Sequence, residues 1–261
     1  MQDAQQIRDT AHEMADAAAR AIMPWFRSAD LRTDNKLASG FDPVTAADRA
    51  AEAAMRAVLA RRRPDDAILG EEFGNTGGCS GLTWVLDPID GTRAFLCGAA
   101  SWGVLVGLSD GARIRYGLID QPFTGERFEG GLGLAALHHR GSQTPLAVRG
   151  GRDLSQATLL STFPEIGTDD DKAAFDRVAA RARLTRYGLD CYGYALLALG
   201  QVDLVIEAGL QAYDIAAPLA VVEAAGGIVT DWQGGPAHAG GRVIAAASAA
   251  LHRQALDLLN A

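Results

Sequence analysis

The sequence predicts a mixed fold, α+β in its first half and α/β in its second. From residue 157 onward, short apolar runs alternate with helical patterns, as in sheets covered by crossover helices. Before that point, two helical segments precede a block of strand-like runs separated by turn signals. The 261 residues, 48% hydrophobic and 21% charged, can bury a large core in one big domain or two of ordinary size. The two patterns divide the chain into halves at 1–140 and 141–261.

Ile7, Ala11, Met14, Ala18 and Ile22 recur at spacings of three and four, which predicts an amphipathic helix over 4–23 that Pro24 ends or kinks. Residues 28–43 are polar, with Gly40 and Pro43, and read as a loop or loose hairpin. Thr45 reads as an N-cap with an acid, Asp48, three residues on. That helix runs to Arg61-Arg62-Arg63-Pro64, where three cations complement the helix dipole, a local reading preferred over a nucleic-acid patch. A short strand at Ala67-Ile68-Leu69-Gly70 leads into Glu71-Glu72, and 74–81 reads as a Gly-rich surface loop. Strands follow at 102–108, at 114–119 after an Asp110-Gly111 turn, and from Phe128. Gly141 to Arg152 is the expected crossing into the second half. There, strands at 157–161, 184–187, 202–206, 228–230 and 243–246 alternate with helices at 170–182, 192–199, 214–225 and 248–259.

A formal net charge of −8 argues against a general nucleic-acid binder, which needs clustered cations to replace counterions. No apolar run reaches membrane-span length, and the polar start, Met1-Gln2-Asp3-Ala4-Gln5-Gln6, lacks a secretory pattern. Cys79, Cys97 and Cys191 are odd in number and widely spaced, as expected of unpaired thiols. Together these predict a cytoplasmic protein.

The candidate chemistry centres on Trp84-Val85-Leu86-Asp87-Pro88-Ile89-Asp90-Gly91-Thr92. A buried strand ends there in two carboxylates three positions apart. Pro88 restricts the backbone at Asp87, and Gly91 permits a tight reversal or close approach. Thr92 is expected to cap Arg93-Ala94-Phe95-Leu96, leaving free N–H groups beside the acids, an arrangement suited to divalent cations that hold a phosphate. Glu71 follows a strand, and Asp214 starts a helix. Taken singly, Asp48 and Asp214 read equally well as helix caps and Glu71 as a solvated loop charge. Asp87 and Asp90 together do not. Mg²⁺ takes hard oxygen ligands, and two such ions can hold the attacking and leaving oxygens of an in-line displacement. Asp48 with Thr92 is a candidate pair for orienting the attacking water.

Gly70-Glu71-Glu72, the Asp87-Pro88-Ile89-Asp90-Gly91-Thr92 motif and Tyr213-Asp214-Ile215-Ala216-Ala217 together resemble the inositol-monophosphatase-like family of Mg²⁺-dependent, Li⁺-sensitive phosphatases. The resemblance extends from Pro43-Val44-Thr45-Ala46-Ala47-Asp48 to Gly226-Gly227-Ile228-Val229-Thr230-Asp231. It implies a layered α-β-α-β-α sandwich and a homodimer. By the same resemblance, Glu71, Asp87 and the Ile89 carbonyl ligate a first Mg²⁺, while Asp87, Asp90 and Asp214 hold a second. Asp48 and Thr92 activate water, a third and weaker Mg²⁺ is shared with Glu71, and the Gly91 and Thr92 amides receive the phosphate.

Within the family the chain looks most like the histidinol-phosphate phosphatases. That likeness is carried by Asp90-Gly91-Thr92-Arg93-Ala94-Phe95, Tyr116-Gly117-Leu118-Ile119-Asp120-Gln121-Pro122 and Gly188-Leu189-Asp190-Cys191-Tyr192-Gly193-Tyr194. Histidinol phosphate carries an ammonium and an imidazole, so its pocket needs acids on the leaving-group side; Asp190 and Glu207 fit that need. The competing readings are another helix cap for Asp190 and a solvated strand end for Glu207. Arg93 is a candidate for contact with substrate or phosphate, with a surface salt bridge the alternative. Two features depart from the pattern: Gly98-Ala99-Ala100-Ser101 lacks an expected proline, and His138-His139-Arg140 reads as a solvated turn without a role. The rival enzymes are inositol-1-monophosphatase and related sugar or nucleotide phosphatases. A rival of another class is a non-catalytic metal- or phosphate-binding regulator.

Overall fold

The computed structural model describes residues 2–29, 33–35 and 43–261. In chain order the elements are α1 (Gln2–Ile22), β1 (Thr33–Asn35), β2 (Pro43–Thr45), α2 (Ala46–Arg62), β3 (Ala67–Gly70), β4 (Gly74–Thr76), β5 (Thr83–Asp90), α3 (Thr92–Leu96), β6 (Gly103–Ser109), β7 (Ile114–Gln121), β8 (Glu126–Gly131), β9 (Leu134–His139) and β10 (Ser142–Pro145). After a 3₁₀ turn at Leu154–Gln156 come β11 (Thr158–Ser161), α4 (Asp169–Ala179), β12 (Leu184–Tyr187), α5 (Asp190–Ala198), β13 (Leu204–Leu210), α6 (Ala212–Ala224), β14 (Ile228–Asp231), β15 (Gly241–Ala246) and α7 (Ala249–Leu259). Among the described residues, β1 and β2 form a small antiparallel ribbon. An eight-stranded sheet runs β10-β9-β8-β7-β6-β5-β3-β4, and a five-stranded sheet runs β12-β11-β13-β15-β14.

Side-chain alternation along the strands sets the layers. Val104, Val106 and Tyr116 face α1 and α2, packing with Met14, Ile22, Met55 and Leu59. Leu105, Ile119 and Phe128 point the other way, into a core with Tyr194, Ile215 and Val205. Leu204, Ile206 and Ile244 then pack with Phe175 and Leu251 on the far side of the second sheet. The result is a sandwich of helices, sheet, helices, sheet and helices, as the resemblance implied.

Three glycines, one in each of β6, β7 and β8, bring α6 down onto the first sheet. Gly107 pairs across the sheet with Gly117, and Gly117 with Gly130. A Cβ at Gly117 would lie 2.3 Å from the Ala217 carbonyl oxygen, and one at Gly130 would lie 2.5 Å from Val221 Cα. Any side chain would lift the helix, and with it Asp214 at its start. In the second sheet, buried Asp203 takes a two-pronged ion pair from Arg149 at 2.6 Å for each bond, plus the Thr158 N–H at 2.7 Å. This ties the crossing segment to β11 and β13.

Several local expectations change. Residues 74–76 form a strand, β4, because they pair antiparallel with β3. The crossing begins later than expected, since 142–145 adds β10 to the first sheet. Within the polar stretch 28–43, positions 30–32 and 36–42 lie outside the described residues. Arg61 and Arg62 leave the dipole role partly aside and pair with Glu13 of α1 at 2.9 and 2.8 Å. No helix among the described residues is long and apolar enough to cross a membrane. The three cysteines are free, with Cys191 buried.

His138 and His139 belong to β9 and do not form a turn. His138 Nε2 lies 2.5 Å from Glu129 Oε1, His12 Nε2 from α1 lies 3.4 Å from the same oxygen, and the Tyr116 hydroxyl donates to Oε2 at 2.7 Å. Arg127 Nη1 meets His12 Nδ1 at 3.0 Å. A guanidinium only donates, so Nδ1 accepts and the His12 proton sits on Nε2, facing Glu129. The trio is compact enough for a metal, but its members are already joined to one another by hydrogen bonds. Burial raises the Glu129 carboxyl, yet the hydrogen bonds from His12, Tyr116 and His138 outweigh it and hold the group at about 2. A depressed carboxyl contributes stability above its ordinary 4.5 and loses it as pH falls toward 2. We expect Glu129→Gln to cost on the order of 3 kcal/mol at pH 7, because a buried network loses its negative charge and an NH₂ donor replaces one of its two acceptor oxygens. Urea unfolding across pH 2–7 should show that difference shrinking below pH 4.5.

Candidate metal centre and active site

The acids that face one another come from four elements, α2, the end of β3, β5 and α6. Asp48 sits in the first turn of α2, where the predicted capping box forms: Thr45 N–H and Oγ1 donate to Asp48 Oδ2 at 2.8 and 2.5 Å. Asp87 and Asp90 are the last acids of β5, and the strand keeps pairing with β6 through a register shift between them. The motif is thus a bulged strand end, not a turn beyond the strand. The Ile89 N–H donates to Asp87 Oδ1 at 3.1 Å, aiming that carboxylate along its own backbone. Asp214 closes a capping box at the start of α6, accepting the Gln211 N–H at 2.7 Å. Glu71 follows β3, with its N–H on the Leu86 carbonyl at 3.2 Å.

Thr92 is not the N-cap of α3. Gly91 takes that place with φ 82°, and Thr92 is the first helical residue. A Cβ on Gly91 would stand 2.8 Å from Asp190 Cγ, so the left-handed backbone and the approach of Asp190 both require glycine. The freed Thr92 hydroxyl donates to the Ile89 carbonyl at 3.2 Å, while the hydroxyl partner of Asp48 is Thr45.

Asp90, Gly91, Thr92, Asp190, Glu207 and Asp214 line one cavity of about 250 Å³. Asp90 Oδ2 accepts the Cys191 N–H at 2.6 Å, joining the motif to α5. Asp190 caps nothing. It adopts φ 46°, costly for a residue with a Cβ, and its carboxylate accepts from Ser101 Oγ at 3.1 Å. Glu207 is buried, held by the Thr162 N–H and Oγ1 at 2.8 and 2.9 Å. The Arg93 guanidinium lies 4.8 Å from the Phe163 ring centroid at the cavity wall. Ser101, Thr162 and Phe163 escaped sequence reasoning, since nothing in their local sequence marks them.

Electrostatics links these acids into one chain. Burial, then the charges of Glu71, Asp90 and Asp214, pushes the Asp87 carboxyl well up. Burial and the Asp190 and Asp214 charges do the same to Asp90. Burial raises Asp48 against its Thr45 hydrogen bonds, with Glu71 adding to the rise. Asp190 is pushed up to about 6 by burial, with the Ser101 hydrogen bond and Arg93 opposing. Glu207 reaches about 8 through burial, against two Thr162 hydrogen bonds and with the charges of Asp190 and Asp214. Asp87, Asp90 and Asp214 each offer an oxygen within 4.8 Å of the others, close enough to share an ion. Hard oxygen donors crowded at that spacing suit a divalent cation, which would remove the repulsion.

The family model for the inositol monophosphatase family matches residues 3–261. The chain belongs to the inositol monophosphatase family. Members of this family are metal-dependent phosphatases. Relatives of this member include the bifunctional phosphatase IMPL2 of Arabidopsis thaliana, 37% identical over 94% of this chain and 72% of the plant protein. The histidinol-phosphatase of Streptomyces coelicolor is 36% identical over 96% of this chain and 95% of its own. Among solved structures, an inositol monophosphatase from Zymomonas mobilis superposes with a TM-score of 0.83 at 42% identity, covering 97% of each chain.

The raised acids make a signed expectation for the metal-free member of this family. A carboxyl raised on folding favours the fold below its ordinary pKa and loses that contribution as pH rises through the folded value. For Glu207 the loss falls between pH 4.5 and about 8. Glu207→Gln should therefore gain on the order of 2 kcal/mol at pH 8 in chelator, and little at pH 4. Asp87→Asn should likewise raise Tm in chelator and, as a candidate ligand, should remove the rise in Tm expected of the unmodified protein on adding a divalent cation, as scanning calorimetry would read.

Proposed function

We propose that this chain is a Mg²⁺-dependent phosphatase whose preferred ester has a cationic leaving group, with L-histidinol phosphate the best match. The observation that carries the reading is the wall of the cavity beyond the metal acids. Asp190 and Glu207 stand there, both raised by burial, with the Arg93 charge acting on Asp190, no cation hydrogen-bonded to either among the described residues, and Glu207 pinned by Thr162. An ammonium brought between them would restore the charged state of both and gain charge-assisted hydrogen bonds. Histidinol phosphate carries such an ammonium on the carbon next to its ester carbon, and an imidazole further out. The similarity to histidinol-phosphatases supports the same choice.

Glu71, Asp87, the Ile89 carbonyl, Asp90 and Asp214 would hold the ions, two or three per site. Bound Mg²⁺ supplies neutralising charge for the ester and acidifies a water for in-line attack. The chain's own groups do the rest. Asp48 and Thr92 would orient the water, whose proton passes to the Asp48 carboxylate, and the Gly91 and Thr92 amides at the start of α3 would receive the phosphate oxygens. Asp190 and Glu207 hold the leaving alcohol through its ammonium, and Arg93 closes the cavity beside Phe163.

A second reading has a specific observation behind it: the solved Zymomonas mobilis relative is an inositol monophosphatase at 42% identity. With a polyol ester, Asp190 and Glu207 would accept hydroxyl hydrogen bonds instead. The two readings separate on kcat/KM with Mg²⁺ for histidinol phosphate, inositol 1-phosphate and glycerol 2-phosphate. We expect histidinol phosphate to lead by at least about tenfold, and Asp190→Asn to cost it about tenfold more than inositol 1-phosphate. Equal losses on both esters would remove the cation-partner role. Thr92→Ala should lower kcat by about a hundredfold with KM changed less than about threefold; a change confined to KM would assign Thr92 to binding.

A further inference from the structure

Glu52 and Arg56 lie outside the acids that line the cavity, yet they hold the segment that carries Glu71. Glu52 is completely buried, one helical turn after Asp48 on α2. Its Oε2 accepts the Glu72 N–H at 2.7 Å, and its Oε1 accepts the Phe73 N–H at 3.3 Å and Arg56 Nε at 2.7 Å. Arg56 carries the connection onward, with Nη1 donating to Thr76 Oγ1 at 2.8 Å and Nη2 to the Gly74 carbonyl at 2.5 Å. The neighbouring strand makes room for this carboxylate: a Cβ at Gly70 would fall 2.0 Å from Glu52 Oε1.

The position of these bonds matters more than their number. The two amides that Glu52 accepts belong to the residues immediately after Glu71, while the Glu71 N–H bonds the Leu86 carbonyl at 3.2 Å. Glu71 is thus pinned from both sides, inward by β5, which bears Asp87, and outward by α2, which bears Asp48. The exposed strand β4 buries nothing that would demand an ion pair beneath it. A fully buried carboxylate is a costly means of holding a surface hairpin, and what this one fixes is the relative placement of three candidate site acids.

We propose that Glu52 and Arg56 form a positioning clip that sets Glu71 against Asp48 and Asp87, so that affinity for the divalent cation depends on two residues that do not touch it. The inference rests on the reading above in which Glu71 is a ligand. Second-layer groups of this kind change metal affinity by about 10–100-fold when lost.

Glu52→Gln keeps the shape but replaces an all-acceptor group with one that also donates, against Arg56 and two backbone amides. Isothermal titration of Mg²⁺ into metal-free protein should show its Kd raised at least about tenfold, while kcat at saturating Mg²⁺ falls less than about threefold. Asp203→Asn, which loosens a buried ion pair in the other sheet, serves as the control: at a comparable loss of Tm its Mg²⁺ Kd should stay within about twofold. Glu52→Gln that binds Mg²⁺ as the unmodified protein does would overturn the clip and leave the phosphatase reading intact. Unmodified protein that took up no Mg²⁺ would overturn the ligand reading and the clip together. Should Glu52→Gln not fold, Arg56→Lys keeps the charge but gives up the fork to Thr76 and Gly74; its Mg²⁺ Kd should rise at least about threefold, and an unchanged Kd would overturn the clip equally.

Discussion

Repulsion among buried carboxylates is the constraint on which the rest of this structure depends. Asp48 feels Glu71, Glu71 and Asp214 act on Asp87, Asp214 and Asp190 act on Asp90, and Asp190 acts on Glu207. Left to themselves these groups would separate or take up protons. The fold prevents separation by seating each on an element it cannot leave: a helix cap, a strand end, a glycine-packed helix, a bulged strand. A divalent cation among them would relieve that repulsion, and the proposed cationic leaving group would do the same at Asp190 and Glu207.

The scaffold meets that demand through backbone approach. Gly107, Gly117 and Gly130 form a smooth track across three strands, and α6 lies on it closely enough to bring Asp214 to the end of β5. Gly91 admits the Asp190 carboxylate, and Gly70 admits that of Glu52. Each of these glycines acts by what it leaves empty. The space is then filled by an acid or by the helix that carries one.

The capping box at the start of α2 was readable from sequence because an N-cap threonine and an acid three residues on are local chemistry, and Thr45 with Asp48 forms as expected. The amphipathic helix α1 and the alternating second half were readable for the same reason, since periodicity is a property of neighbours along the chain. Thr92 was misplaced by one position because the left-handed turn at Gly91 starts the helix before any side chain can cap it. His138 looked like part of a polar turn because its partners, Glu129 and His12, lie on another strand and on the first helix. For Asp190 the competing reading was a helix cap; its positive φ and its contact with Ser101, far earlier in the chain, decide against it.

By itself the sequence determined the family, the layered fold and the short motif in which Asp87 and Asp90 sit three residues apart, because those features are written in contiguous residues. Only the tertiary structure decided how the acids stand toward one another, which of them are raised by burial, and that Glu52 and Arg56 hold the segment bearing Glu71. The physical reason is that a carboxylate's charge state and direction are set by neighbours in space. Here those neighbours come from helices and strands separated by tens of residues, brought together by packing that no local pattern encodes.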